Sequence, residues 1–175
     1  MNLECAALVI AAPASGQGKT TVTAGLARYY RNQGKKVRIF KAGPDFLDPM
    51  ILEQASGHAV YQLDLWMVGE SNCQELLFEA AQQADLILIE GVMGLFDGHT
   101  GVGEAGSSAH LAAVLNTPVI LIVDVKGMAG SLIPLVSGFN DYAKKLGFSI
   151  AGVIGNRVGS ERHAGILNDL LKAHD

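Results

Sequence analysis

An alternation of apolar runs with helical segments constrains this chain most. The runs AALVIAA (6–12), ADLILIEG (84–91), PVILIVDV (118–125) and FSIAGVIGN (148–156) are nearly free of charge until their last residues. Runs of that kind suit strands buried on both faces, as in a parallel sheet. KVRIFKA (36–42) reads as a further strand. Between the strands lie segments with helical spacing. GKTTVTAGLARYYRNQG (18–34) places Val22, Leu26, Ala27 and Tyr30 on one face and stops at Gly34. Shorter helices are expected at 49–57, 70–83 and 108–116, the last capped by Ser107 or Ser108, and two more at 130–146 and 160–173. Strands alternating with helices imply right-handed crossovers. The predicted class is α/β: a three-layer fold with a mostly parallel central sheet flanked by helices.

At 175 residues the chain suits one domain, residues 1–175, and no repeat or linker interrupts it. Hydrophobic residues make up 49% and charged residues 17%, which excludes a disordered chain. Thirteen basic and 17 acidic side chains give a net charge of −4, without the basic stripe of a nucleic-acid binder. The two cysteines, Cys5 and Cys73, are far apart and form no CxxC, so neither a disulfide framework nor a zinc site is expected. Residues 5–18 lack charge, but Glu4 precedes them and there is no basic leader. Residues 105–123 lack charge too, but Gly106, Ser107, Ser108, His110, Asn116 and Pro118 make them unsuitable as a membrane span. A soluble, cytoplasmic protein is expected, with no membrane partner.

In such sheets ligands bind beyond the carboxyl ends of the strands. Ala12, Lys41, Glu90, Asp124 and Asn156 stand near those ends. The segment PASGQGKTT (13–21) leaves a buried strand and opens a helix. Its glycines, Gly16 and Gly18, let backbone N–H groups approach a phosphate, with Ser15, Gln17 and Thr21 beside them. Lys19 is placed to reach β- and γ-phosphates and the Thr20 hydroxyl to bind Mg²⁺. The expected cofactors are ATP and Mg²⁺. The usual loop carries a glycine five residues before Gly18; here that residue is Pro13.

KAGPDFLDP (41–49) puts Lys41, Asp45 and Asp48 on one loop, carboxylates for a hard cation beside a cation for a phosphoryl group. Glu90, ending its strand, stands where a carboxylate holds Mg²⁺ or its water. Asp97 lies on the glycine-rich loop that follows, and loops of that length (94–108) are more often functional than filler. Asp124 also ends a strand and is a weaker candidate for the metal. Asn156, in GNRV, carries a donor and an acceptor on one amide and suits an adenine edge. The five histidines show no ligand spacing, and His99 alone falls near the expected site. Trp66, Met67 and Phe96 are candidates for lining a substrate cleft but read first as ordinary core.

The residues APASGQGKTTVTAGLARYYRNQGKKVRIFKAGPDFLDP, LDLWM and IEGVMGLFDG together resemble the amino-terminal synthetase domain of cobyrinic (or hydrogenobyrinic) acid a,c-diamide synthases, over about residues 6–160. The fold resembles that of dethiobiotin synthetase, a P-loop fold. In that wider group the loop glycine commonly sits one residue further back, a place taken here by Ala12.

The resemblance implies that ATP·Mg²⁺ phosphorylates corrinoid side-chain carboxylates, in cobalamin biosynthesis, and that ammonia displaces the phosphate. It implies Lys19 and Thr20 at the phosphates and Mg²⁺, Asp48 and Glu90 as metal ligands, and Lys41 and Asp45 facing the γ-phosphate and the substrate carboxylate. It further implies Asp97 in coupling between domains and Asn156 at adenine. Family members carry a carboxyl-terminal glutaminase domain. Neither cysteine here lies in a setting like a glutaminase nucleophile, so ammonia is expected from a glutaminase domain or partner. Homodimer formation stays open.

Two rival readings remain. A sister enzyme amidating nickel-sirohydrochlorin has similar loop motifs. The partition and cell-division switch ATPases carry a second lysine four residues before the loop glycine, where this chain has Ala14. A third class, a binding module with a dead site, is opposed by Lys19, Thr20, Asp48 and Glu90.

Overall fold

The computed structural model describes residues 5–99 and 103–174. Six strands form one wholly parallel sheet: β1 (Ala6–Ala11), β2 (Val37–Ala42), β3 (Tyr61–Leu63), β4 (Leu86–Glu90), β5 (Val119–Asp124) and β6 (Ile150–Asn156). Their spatial order is β3-β2-β4-β1-β5-β6. The helices are α1 (Lys19–Asn32), α2 (Asp48–Ser56), α3 (Glu70–Ala81), α4 (Ser108–Val114), α5 (Leu132–Lys145) and α6 (Glu161–Lys172). The expected class holds. The short β3 has no counterpart in the sequence reading, because YQL is too brief for a period to register.

The chain first moves outward, from β1 to β2 to β3, and then returns through β4 to β5 and β6. Right-handed crossovers therefore put α1 and α2 on one face and α3, α4 and α5 on the other. The period of two along each strand feeds both layers. Ile10, Ile39 and Leu88 pack beneath α1 and α2 with Ala27 and Leu52. Val9, Phe40 and Ile89 pack on the opposite face with Leu77, Leu111 and Leu132. Burying each such side chain is worth about 1.5–3 kcal/mol.

Local signals account for several helix ends. Ser107 caps α4, its hydroxyl accepting from the His110 N–H at 3.1 Å, and Ser160 caps α6 through the His163 N–H at 3.1 Å. Helix α2 ends at Gly57 in the left-handed conformation. In α1 the buried residues are Lys19, Thr23 and Ala27, while Tyr30 is exposed. Of the expected stripe, Ala27 is buried and Val22 and Leu26 pack against the core, while Tyr30 alone is turned out to solvent.

Candidate active site

The same period of two explains the centre of the site. Lys41 and Glu90 are direct register partners on β2 and β4 and share the face that α1 and α2 cover. Lys41 is 2% exposed and Glu90 fully buried. The Lys41 ammonium donates to Glu90 Oε1 at 2.9 Å and to Asp48 Oδ2 at 2.7 Å, with Asp45 Oδ2 at 3.5 Å. Thr20, in the first turn of α1, donates from its hydroxyl to Glu90 Oε1 at 2.7 Å. Residues from four elements therefore meet at one ammonium and one carboxylate.

Burial raises the proton affinity of Glu90, and the attraction of Lys41 only partly opposes it. Burial alone would lower the pKa of Lys41, but Glu90 and Asp48 outweigh it and the net shift is upward. Asp48 is desolvated too, yet Lys41 draws its pKa below the ordinary value. Lys19 is lowered, first by burial and then by the nearby Lys41 charge. Lys19 and Lys41 thus share one cleft with the carboxylates of Asp45, Asp48 and Glu90, so the site presents both signs of charge.

Glu90 Oε2 is buried without a hydrogen-bond partner. An orphaned carboxylate oxygen beside a threonine hydroxyl and Asp48 suits a hard divalent cation. Among the described residues no cluster of three His, Cys, Asp or Glu could hold a metal alone.

The phosphate loop is shaped by Gly16 and Gly18, at φ 77° and 95°. Lys19 donates to the Met93 carbonyl at 2.6 Å, so the loop lysine spans to the segment after β4. Gly18 has a second constraint: a Cβ there would stand 2.2 Å from Asn156 Nδ2. That nitrogen donates to the Gln17 carbonyl at 2.8 Å, while Gln17 Oε1 accepts from the Asp124 N–H at 2.6 Å. Gln17 and Asn156 thus pin the loop to the ends of β5 and β6.

The entrance at Ala12-Pro13 is held by the neighbouring loop. Leu95 N–H donates to the Ala12 carbonyl at 2.8 Å, and a Cβ on Gly94 would lie 2.7 Å from the Pro13 carbonyl. Gly94 keeps its own N–H bonded to Asp97 Oδ2 at 2.8 Å. Asp97 therefore folds the loop after β4.

A cleft of about 440 Å³ opens where the connections from β1 and β4 leave toward opposite faces. Ser15, Gly16, Gly18, Lys19, Thr20 and Thr21 line one side. Lys41, Asp45, Asp48 and Glu90 line the other. Asp45 Oδ1 accepts from the Leu47 and Asp48 N–H groups at 3.0 and 3.2 Å and so starts α2, where Leu47 offers no side-chain cap. Gln17, Asp97 and Asn156 brace the cleft and are not among its lining residues.

Arg157 also lines the cleft, a residue the sequence reading passed over. Its φ is 58°, its Nη1 donates to Asp124 Oδ2, and its Nη2 donates to the Gly16 carbonyl at 3.0 Å. Asp124, a candidate for the metal, is instead paired with Arg157, and the Lys126 N–H and Arg157 together lower its pKa. The only available signal was its place after Asn156 in GNRV.

The model of the CobQ/CobB/MinD/ParA nucleotide binding domain matches residues 8–174. The chain belongs to this family. It is 60% identical over 167 residues to a hydrogenobyrinate a,c-diamide synthase of Stutzerimonas stutzeri, covering 95% of this chain and 37% of that protein. It is 51% identical over 160 residues to a cobyrinate a,c-diamide synthase of Herminiimonas arsenicoxydans, covering 91% of this chain and 34% of that one. The chain thus spans little more than a third of the curated relatives it matches. Among solved structures, FtsY from Mycoplasma mycoides superposes with a TM-score of 0.63 at 19% identity, over 97% of this chain and 57% of that one. A nucleotide-binding protein from Archaeoglobus fulgidus in complex with ADP gives 0.54 at 19% identity, over 97% and 85%. These likenesses establish the P-loop fold. Among the described residues no helix is long and apolar enough to cross a membrane.

Proposed function

We propose that the chain is the ATP-dependent synthetase unit of a corrinoid a,c-diamide synthase. The observation that carries this reading is the buried Lys41–Glu90 pair, joined by Thr20 and Asp48 at the mouth of a phosphate loop. It is supported by the names of relatives at 60% and 51% identity.

In this reading the backbone N–H groups of the loop and Lys19 hold the β- and γ-phosphates, and Asn156 presents its remaining amide capacity to adenine. Thr20, Asp48 and Glu90 would hold Mg²⁺, which would supply positive charge to neutralise the phosphates. Lys41 and Asp45 face the γ-phosphoryl group and the substrate carboxylate. A carboxylate oxygen of the macrocycle attacks the γ-phosphorus and the bond to the bridging oxygen breaks, leaving ADP and an acyl phosphate. Lys41 offsets the negative charge spread over the transferring group. Ammonia then adds to the acyl carbon, phosphate leaves, and loss of a proton gives the amide. Asp97 keeps the loop after β4 in shape and helps couple this unit to its ammonia source, a glutaminase domain or partner.

The test supplies the chain with ATP, Mg²⁺ and hydrogenobyrinate or cobyrinate, with either ammonium or glutamine. Amide from ammonium with matching ADP is the expected outcome. No amide from either nitrogen source, with ATP still bound, would sink the assignment. The competing macrocycle, a nickel-sirohydrochlorin, is included as a second substrate. A switch ATPase is disfavoured by Ala14, which stands where those proteins carry their second lysine.

A further inference from the structure

Trp66, the chain's single tryptophan, is 80% exposed, and Met67 is 63% exposed. Both read as core in the sequence. Phe96, read the same way, does pack inside, with Phe139, Tyr142 and Phe148 around it. Scattered exposed apolar residues are ordinary, but this pair is held out deliberately. Asp64 is buried, its Oδ1 accepts from the Trp66 and Met67 N–H groups at 2.9 and 3.0 Å, and its carbonyl accepts from Val68 N–H at 2.8 Å. The exposure therefore belongs to a tight turn fixed by a buried carboxylate.

A second element converges on the same place. The His99 ring lies 6.2 Å from the Trp66 ring, at an interplanar angle of 59°. It rests over Gly106, where a Cβ would come within 2.0 Å of the imidazole. The segment before the turn is tied to the loop that carries Asp45 and Asp48 into the cleft. Gln62, just before the turn, donates to the Asp45 carbonyl at 2.7 Å, and Gly43 N–H donates to the Leu63 carbonyl at 3.3 Å. The loop so held carries exposed Phe46 and Leu47 between Asp45 and Asp48.

We propose that Trp66, Met67 and His99 form the wall on which the substrate macrocycle lies while its carboxylate reaches Asp45 and Lys41. This rests on the amidation reading above. An indole offers a broad apolar face for a macrocyclic ring system, a thioether adapts to its contour, and an imidazole suits the carboxylates around its rim.

The experiment measures equilibrium binding of hydrogenobyrinate to the chain in the presence of Mg²⁺ and a non-hydrolysable ATP analogue. Trp66→Ala is expected to weaken macrocycle binding about tenfold, the size of one lost stacking contact. Trp66→Phe should recover most of it. Thermal midpoint and affinity for the analogue should stay as in the wild type for both variants. Macrocycle binding by Trp66→Ala equal to wild type would overturn the proposal while leaving the amidation reading intact. A wild-type chain that binds the analogue but not the macrocycle would overturn both.

Discussion

Lys41 and Glu90 sit opposite each other on adjacent parallel strands, 2.9 Å apart and almost wholly shielded from water. A buried pair of this kind adds little net stability over an apolar pair, but removing one partner is costly. Lys41→Met should destabilise the fold by about 3–5 kcal/mol at neutral pH, because Glu90 is left charged and buried. The pH dependence has a defined sign. Burial raises the folded pKa of Glu90, so its penalty is present above that raised value and is relieved as pH falls through it. Urea denaturation across the acidic range should show the gap between variant and wild type narrowing toward low pH. A gap that is constant with pH would mean Glu90 does not carry the penalty.

Glu90→Gln keeps the shape of the side chain and removes the charge. Lys41 retains Asp48 and Asp45 as partners, so the thermal midpoint should change little. Amidation with ammonium should fall at least about 100-fold through loss of a metal ligand. Unchanged turnover would remove Glu90 from the metal site.

Asn156 has two separable tasks in this account, bracing Gln17 and reading the base. Asn156→Ala should weaken ATP by about tenfold and narrow the preference for ATP over GTP. Equal losses for the two nucleotides would leave only the brace. Gly18→Ala attacks the same contact from the other side, with a Cβ driven into Asn156 Nδ2 and a backbone at φ 95°. It should weaken both nucleotides alike.

Arg157 ties Gly16 to Asp124 from the rim of the cleft. Arg157→Ala should raise the Kd for ATP several-fold, about 1 kcal/mol, with little change in thermal midpoint because the pair is exposed. Calorimetric titration of the variant checks this; an unchanged Kd would make the arginine incidental to the loop.

The layered parallel sheet was legible because long apolar runs and helical spacing are local signals. The gathering of Lys19, Thr20, Lys41, Asp48 and Glu90 was legible for a related reason: all stand at or just beyond strand ends, and parallel strands bring those ends together. What escaped depends on register and turns. That Lys41 faces Glu90 follows from a pairing of β2 with β4 that skips β3, and no local pattern encodes it. Trp66 read as core because composition favours burial for tryptophan; Asp64 holds the turn that turns it outward. Gln17 and Asn156 carry amides suited to a ligand, yet Asn156 Nδ2 is engaged by the Gln17 backbone carbonyl and Gln17 Oε1 by the Asp124 N–H of β5.

The central claim is transfer of the γ-phosphoryl group to a carboxylate. It is tested most directly by labelling the macrocycle carboxylates with ¹⁸O and analysing the phosphate released during amidation with ammonium. The account predicts one ¹⁸O carried from the carboxylate into phosphate for each amide and each ADP formed. Unlabelled phosphate, or AMP and pyrophosphate in place of ADP, would contradict it.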